Sequence, residues 1–109
     1  MRFMMMVIPK GYESAVPAPA AKMMEYNKAL QKAGVLLAVD GLLPVSTGAR
    51  IAYMDGKPTV TDGPFAESTE VMGYWIIQVR SREEAIEWAR RAPMCNNEVI
   101  EVREIQEVS

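Results

Sequence analysis

Two short apolar runs, residues 2–8 and residues 73–79, constrain the fold of this chain more than any other feature. Both runs are short and apolar, rich in methionine, aromatic or β-branched residues, and Pro9 follows the first, so both are predicted to be β-strands. Side chains alternate between the two faces of a strand. Because both alternating sets are largely apolar, we expect residues 73–79 to be a central strand in a sheet with two apolar faces. One set is Phe3, Met5 and Val7 with Trp75, Ile77 and Val79, and the other is Met4, Met6 and Ile8 with Tyr74, Ile76 and Gln78.

The remaining residues predict two helices and four further strands. Apolar residues recurring every three to four positions indicate the helices, and Gly34 and Pro93 are expected to stop them. Asp55-Gly56 favours a type I′ hairpin turn, since both turn residues need positive φ. The predicted helices are residues 20–33 and 82–91, and the further strands are residues 35–43, 50–54, 57–61 and 99–105.

This order of elements, β-α-β, hairpin, β-α-β, is typical of an α+β ferredoxin-like sandwich with both helices on one face of the sheet. At 109 residues the chain fits a single domain, residues 1–109. Two helices cover only one sheet face, and a soluble monomer rarely exposes a second apolar face of that size. We therefore predict a homodimer through the sheet face, and the alternative, in which end loops fold over that face, stays open.

Composition excludes several classes of function. The net charge of −2 and the scattered basic residues give no reason to expect direct nucleic-acid or membrane binding. The opening apolar run, residues 1–8, is far shorter than the ~20 residues of a bilayer span and has no cleavage-type sequence after it, so a cytoplasmic location is predicted. The single Cys95 permits no disulfide within the chain, and the absence of histidine excludes imidazole-based triads. No cofactor and no metal site are predicted, and any catalysis would depend on carboxylates, Lys, Arg or Tyr.

The run T-D-G-P-F-A-E at residues 61–67 predicts a rigid corner. Pro64 lacks an N–H and restricts Gly63, so the preceding strand cannot continue its ladder through this point. The Asp62 carboxylate cannot bond to an N–H at residue 64 and must find a more distant donor or a ligand. From the residues alone, a structural corner and the rim of a binding site both remain open.

The tetrad D-G-P-F within this run, residues 62–65, carries a family resemblance. T-V-T-D-G-P-F-A-E at residues 59–67 follows A-G-V-L-L and D-G-L and precedes G-Y-W-I-I-Q-V. In this order the segments resemble the YCII-related family, in its DGPF subgroup, over nearly the whole chain. The resemblance implies a dimeric α/β barrel of mostly unestablished role, sometimes suggested to be enzymatic, with some members linked to extracytoplasmic-function sigma factors. A His–Asp pair proposed for distant members has no counterpart here, since the chain has no histidine.

Asp40 and Asp62 are the candidate catalytic residues, because each ends a predicted strand and both could open onto one end of the barrel. Two carboxylates brought together in an apolar cleft would raise one pKa and form a proton-transfer pair. The candidate ligand-binding residues are Tyr26, Arg50, Gly63, Pro64, Phe65 and Glu67.

Two functions are therefore weighed from the sequence. The first is a small homodimeric ligand-binding protein for a small apolar or carbonyl-bearing molecule, with acid–base catalysis left open. The second is a regulatory or interaction module linked to transcription, without catalytic activity. A deep pocket containing Asp40 or Asp62 would favour the first, and a filled core with an exposed apolar groove would favour the second.

Overall fold

The structure is a computed structural model that describes residues 1–9, 19–63, 70–94 and 98–108. It is a mixed α+β fold, and its order of elements confirms the predicted β-α-β, hairpin, β-α-β, with one short 3₁₀ turn added before the hairpin. None of the described helices is long and apolar enough to cross a bilayer. The elements are β1 (Arg2–Pro9), α1 (Ala20–Lys32), β2 (Leu36–Gly41), a 3₁₀ turn (Val45–Thr47), β3 (Ala49–Met54), β4 (Lys57–Asp62), β5 (Gly73–Gln78), α2 (Arg82–Arg90) and β6 (Glu98–Glu104).

Four of the strands form an antiparallel sheet in the order β2-β5-β1-β6, and among the residues that the structure describes β3 and β4 pair only with each other. β5 lies between β2 and β1, which confirms the prediction that residues 73–79 form a central strand. In the described residues the sheet therefore has β2 and β6 as its edges, and the hairpin is a separate two-stranded unit.

The helix-facing side of the sheet forms the core. Alternate residues of β1 and β5, such as Met5 and Ile77, are fully buried beneath α1 and α2, together with Leu30 and Ala85 of the helices. The opposite side, here called the open face, carries the other alternating set and is only partly buried. In the two central strands both sheet faces are therefore apolar, as predicted, and the helices cover one of them. The apolar centre of the open face consists of Met4, Met6 and Ile8 of β1 with Tyr74 and Ile76 of β5. The edge strands add Arg103, Glu101 and Asp40 to this face.

α1 ends in a Schellman motif built on Gly34. Gly34 has φ of 74°, its N–H donates to Gln31 O at 3.0 Å, and the next N–H, of Val35, donates to Leu30 O at 3.2 Å. A residue without Cβ adopts this left-handed conformation at little cost. Gly34 thus stops the helix, as predicted, and turns the chain into β2.

α2 begins at Ser81, whose hydroxyl oxygen accepts a hydrogen bond from Glu84 N at 3.1 Å. The carboxylate of Glu84 in turn accepts from the N–H of Arg80 at 3.0 Å, one residue before the position that a full capping box uses. Ser81 therefore caps the N-terminus of α2, and Glu84 bonds to the residue that precedes the cap.

β3, β4 and the turn between them, residues 49–62, form an arm that projects from the domain. Asp55 has φ of 52° and Gly56 of 75°, which confirms the turn conformation expected for Asp-Gly. Every residue of both strands is exposed. The radius of gyration is 15.9 Å, against about 13 Å for a compact chain of this length, and the projecting arm accounts for an extended shape.

A glycine is required where the arm returns to the domain. The N–H of Gly63 donates to Gly48 O at 2.9 Å, and this places the Gly63 backbone directly against Val45 of the 3₁₀ turn. A Cβ at residue 63 would overlap the Val45 carbonyl oxygen and lie 2.9 Å from its carbonyl carbon. Gly63 thus closes a tight corner at the base of the arm.

Candidate functional site

A cavity of about 280 Å³ lies at the end of the sheet where β2 ends and β5 begins, beneath α1. Its lining comes from β1, α1, β2, β5 and the segments that flank β5 and α2, so elements distant in sequence close around it. The lining is predominantly apolar, which is typical of sites for small organic ligands. The described lining residues are Val7, Met23, Asn27, Val39, Asp40, Gly41, Met72, Gly73, Tyr74, Trp75 and Met94.

A pair of glycines explains why the cavity is empty of side chains. Gly41 of β2 lies opposite Gly73 of β5, and Gly73 lies opposite Val7 of β1 on the helix-facing side. An added Cβ at Gly41 would meet no atom within 4 Å, whereas one at Gly73 would lie 3.0 Å from Asp40 O. Glycine inside a strand often marks a place where a ligand or another backbone approaches closely. Here the two glycines leave the floor of the cavity open.

Asn27 supplies the polar group on the helix side of the cavity. Its side-chain oxygen accepts a hydrogen bond from the indole N–H of Trp75 at 2.8 Å. This bond satisfies the indole of a buried tryptophan and fixes the orientation of the Asn27 amide. Among the described residues no acceptor engages the amide nitrogen of Asn27, so its two N–H groups are available to a ligand carbonyl.

Tyr26 supports this arrangement from within the core. Its ring packs edge-on against Trp75, with centroids 5.4 Å apart, and its hydroxyl donates to Trp88 O at 2.6 Å. Burial raises the pKa of Tyr26 to about 12, because the charged phenolate is disfavoured there, and the charge of Arg91 opposes this shift. Tyr26, predicted as a ligand contact, thus uses its hydroxyl within the protein and positions Trp75.

Asp40 bonds to Tyr74 on the open face of the sheet. The register shifts between Leu36 and Ala38, so a bulge places Asp40 opposite Tyr74, and the Tyr74 hydroxyl donates to Asp40 Oδ2 at 2.8 Å. This hydrogen bond and the negative charge of Asp40 raise the pKa of Tyr74. Both residues contribute to the cavity wall, while the register directs their side chains to the face opposite Trp75.

The other predicted site residues lie apart from this cavity. Asp62 ends β4 at the base of the arm, opposite Ala49, and Arg50 lines a shallow open groove beside the 3₁₀ turn. Gly63 acts at the corner described above. Within the described parts of the chain, Asp40 and Asp62 share neither a hydrogen bond nor a cavity, so the paired-carboxylate mechanism stays a prediction. Pro64, Phe65 and Glu67 lie outside the described residues.

Acidic and thiol groups do not converge on a metal-binding arrangement in the portion of the chain that the structure describes. The polar chemistry of the cavity is therefore that of one amide, Asn27, with the Asp40–Tyr74 pair at its edge.

The sequence matches the YCII-related domain over residues 1–109, the whole of the chain. The chain belongs to the YCII-related family. This YCII-related chain is also similar to an uncharacterised protein of Rhizobium meliloti (strain 1021), with 38% identity over 60 residues. That match covers 54% of the chain and 48% of the relative, so the chain spans about half the length of the curated relative. Neither match names a ligand or a reaction.

Sequence reasoning predicted Asp40 as a catalytic residue, and Asp40 contributes to the cavity wall of this YCII-related domain, but Asn27 was missed. A signal was present, because Met23 and Asn27 lie one helical turn apart, next to the apolar positions of α1. A polar residue on that border, together with a tryptophan in a predicted central strand whose N–H needs a partner, points to such a pair. Met72 and Met94 lie outside any helix or strand, and no periodicity could have placed them.

Proposed function

We propose that this chain is a small homodimeric protein that binds a neutral, mainly apolar molecule carrying a carbonyl group in the cavity beneath α1. The observation that carries the proposal is the Asn27 amide, held in place by the indole of Trp75 in the wall of an otherwise mainly apolar cavity. Its N–H groups can donate to a carbonyl, and its oxygen has a second lone pair for an amide donor.

The size and charge of the cavity define the ligand class. A water takes roughly 30 Å³ of liquid volume, so 280 Å³ holds about nine waters, or a ligand of about ten non-hydrogen atoms. The described lining includes no cationic side chain, and the Asp40 carboxylate points to the open face, where it bonds to Tyr74. Burying an anion there would be unfavourable without a paired charge, so a neutral amide or ketone fits better than a carboxylate.

The homodimer and membership of the DGPF subgroup are parts of the same proposal. The strand order β2-β5-β1-β6, with β3 and β4 set aside, is consistent with a ferredoxin-like sheet, and the centre of its open face is apolar. Two such faces stacked together would form a dimeric α/β barrel. The tetrad at residues 62–65 supports membership of the DGPF subgroup.

Acid–base catalysis is the second part of the predicted function. The Tyr74 hydroxyl donates to the Asp40 carboxylate at 2.8 Å, and a tyrosine beside a carboxylate is a kind of pair that general acid–base chemistry uses. Asp40→Asn keeps the shape and removes the charge. If Asp40 acts as a base, this variant loses turnover of a carbonyl ligand while it still binds that ligand; unchanged turnover would make the pair structural.

The alternative function, a regulatory or interaction module without a ligand, is favoured by the exposed arm. The cavity with Asp40 in its wall favours the binding protein, because an interaction module needs no internal space beside a fixed amide. The two functions differ in one observable, which is whether a small neutral molecule enters the cavity.

Indole NMR tests the ligand proposal directly, because the chain has two tryptophans in different places. Trp75 bonds to Asn27 at the cavity, whereas Trp88 lies under Arg91, whose guanidinium carbon is 4.2 Å from the ring centroid. Titration with benzamide is expected to shift the Trp75 indole signal and leave that of Trp88 unchanged. Benzoate has nearly the same shape but carries a negative charge, so it is expected to bind at least about tenfold more weakly than benzamide. No shift with benzamide, or equal shifts of both signals, would contradict the proposal.

Two neighbouring methionines provide matched variants for the same test. Met23 lines the cavity, whereas Met24 is 58% exposed on the outer side of α1. Met23→Trp is expected to fill part of the cavity and weaken benzamide binding, measured by titration calorimetry, by about tenfold. Met24→Trp is expected to change it by less than about twofold. Equal effects of the two substitutions would place the ligand elsewhere.

A further inference from the structure

The arm has one largely apolar face, which also carries Asp62 opposite Ala49 at the base of the arm, and one more polar face. In its antiparallel register Ile51 lies opposite Val60, and Tyr53 lies opposite Pro58, so these four side chains share a face. Ile51, Val60 and Tyr53 are 52%, 65% and 75% exposed. The other face carries Arg50, Ala52, Met54, Lys57, Thr59 and Thr61.

This apolar face lacks a covering surface in the described part of the chain. Two strands joined by a tight turn are at best marginally stable in water without packing against something else. The rigid corner at Gly63 fixes the base of the arm, but it adds no cover to Ile51, Tyr53 or Val60. The arm therefore needs a surface to pack against.

The shape of the molecule shows that the arm does not cover its own sheet. The principal extents are 46, 40 and 18 Å, and 18 Å is about the depth of one helix layer on one sheet layer. An arm folded over the open face would add a further layer of about 10 Å. The arm instead extends within the plane of the domain, so its apolar face is exposed while the open face of the sheet is only partly buried.

We propose that the arm of one copy packs its apolar face onto a second copy of this chain, within the dimer that buries the open face of the sheet. This inference rests on the homodimer in the proposed function. In a two-fold symmetric dimer each subunit extends its own arm and receives the partner's arm, so the arm contributes twice to the area buried per subunit.

The area that a stable dimer needs supports a second copy as the occupant. The four strands of the sheet, of about six residues each, have a projected footprint of roughly 380 Å². The arm has a footprint of roughly 200 Å², and it covers a similar area on the partner. In a symmetric dimer the two arms therefore add about as much footprint to each subunit as the sheet face supplies, towards the ~800 Å² of accessible surface per partner in a typical stable interface.

Adjacent residues on opposite faces of β4 give a matched test. Val60→Lys places a charge on the apolar face, and Thr59→Lys places the same charge on the polar face of the same strand. In sedimentation equilibrium, Val60→Lys is expected to raise the dimer dissociation constant by about tenfold or more, and Thr59→Lys by less than about twofold. Equal dissociation constants for the two variants would overturn the proposal.

A photo-crosslinking amino acid in place of Tyr53 tests the contact without weakening the hairpin pattern. Irradiation is expected to give covalent dimers, and peptide mapping is expected to locate the link on the other subunit. Links only within one chain would overturn the proposal.

Ile76→Lys on the open face separates this proposal from the dimer itself. If Ile76→Lys dissociates the dimer while Val60→Lys does not, the arm proposal fails and the sheet-face dimer stands. If the unmodified chain is monomeric, both fail. Weakening by both substitutions supports both.

Discussion

Replacing Gly63 with alanine tests whether the corner at the base of the arm needs a residue without a side chain. The added Cβ would overlap the oxygen of Val45 and lie 2.9 Å from its carbonyl carbon, and these main-chain atoms cannot rotate away. The backbone must shift, which weakens the 2.9 Å bond from Gly63 N to Gly48 O. Overpacking costs about 1–3 kcal/mol and one lost hydrogen bond about 1 kcal/mol, so we expect the free energy of unfolding to fall by about 2–4 kcal/mol.

Gly48→Ala is the matched control, since it lies in the same loop and contacts the same residue. Gly48 has φ of −97°, which any residue adopts, and a Cβ there would lie 3.5 Å from Val45 O, an ordinary contact. Urea unfolding should show a loss within about 0.5 kcal/mol for Gly48→Ala. If Gly63→Ala loses no more than Gly48→Ala, the corner relaxes freely and the steric reasoning is wrong.

Three further predictions concern the core and the helix ends. Tyr26→Phe removes the donor to Trp88 O, so the free energy of unfolding in urea should fall by about 1–2 kcal/mol. Tyr53 is 75% exposed, so the control Tyr53→Phe should leave this free energy unchanged. Equal losses for the two variants would contradict a role for the Tyr26 hydroxyl. Burial raises the pKa of Tyr26 to about 12, so the contribution of Tyr26 to stability should be complete below about pH 10 and lost as the pH rises towards 12, because the unfolded chain ionises first. Urea unfolding across this pH range should show that the free energy of unfolding falls less for Tyr26→Phe than for the unmodified chain. Parallel plots of this free energy against pH for the two proteins would refute the assignment. Ser81→Ala removes the acceptor for Glu84 N and should cost about 1 kcal/mol in the same assay, which Ser81→Thr should largely restore.

The turns and helix ends could be predicted from the sequence because their causes are local. Asp55-Gly56 and Gly34 have positive φ, and each position needs a residue that tolerates this conformation. The alternation in β1 and β5 was equally predictable, since the side-chain period of a strand depends only on its own residues.

Other features depend on contacts between distant segments and could not be predicted in this way. The bulge at Leu37 reverses the alternation of β2, so it directs Asp40 to the open face beside Tyr74. The projection of the arm depends on how the Gly63 corner packs against Val45. Asp40 was predicted as a site residue from its position at a strand end, whereas the Asn27–Trp75 bond requires α1 to lie over β5.

Burial of the open sheet face by a second copy is the claim on which the dimer and the arm proposal both depend. Light scattering of the unmodified chain at micromolar concentration measures it most directly. We expect the unmodified chain to give a particle of about twice its 12.1 kDa mass. For Ile76→Lys we expect a particle with about the mass of a single chain. A 12.1 kDa particle for the unmodified chain, or an undiminished mass for Ile76→Lys, would contradict the account.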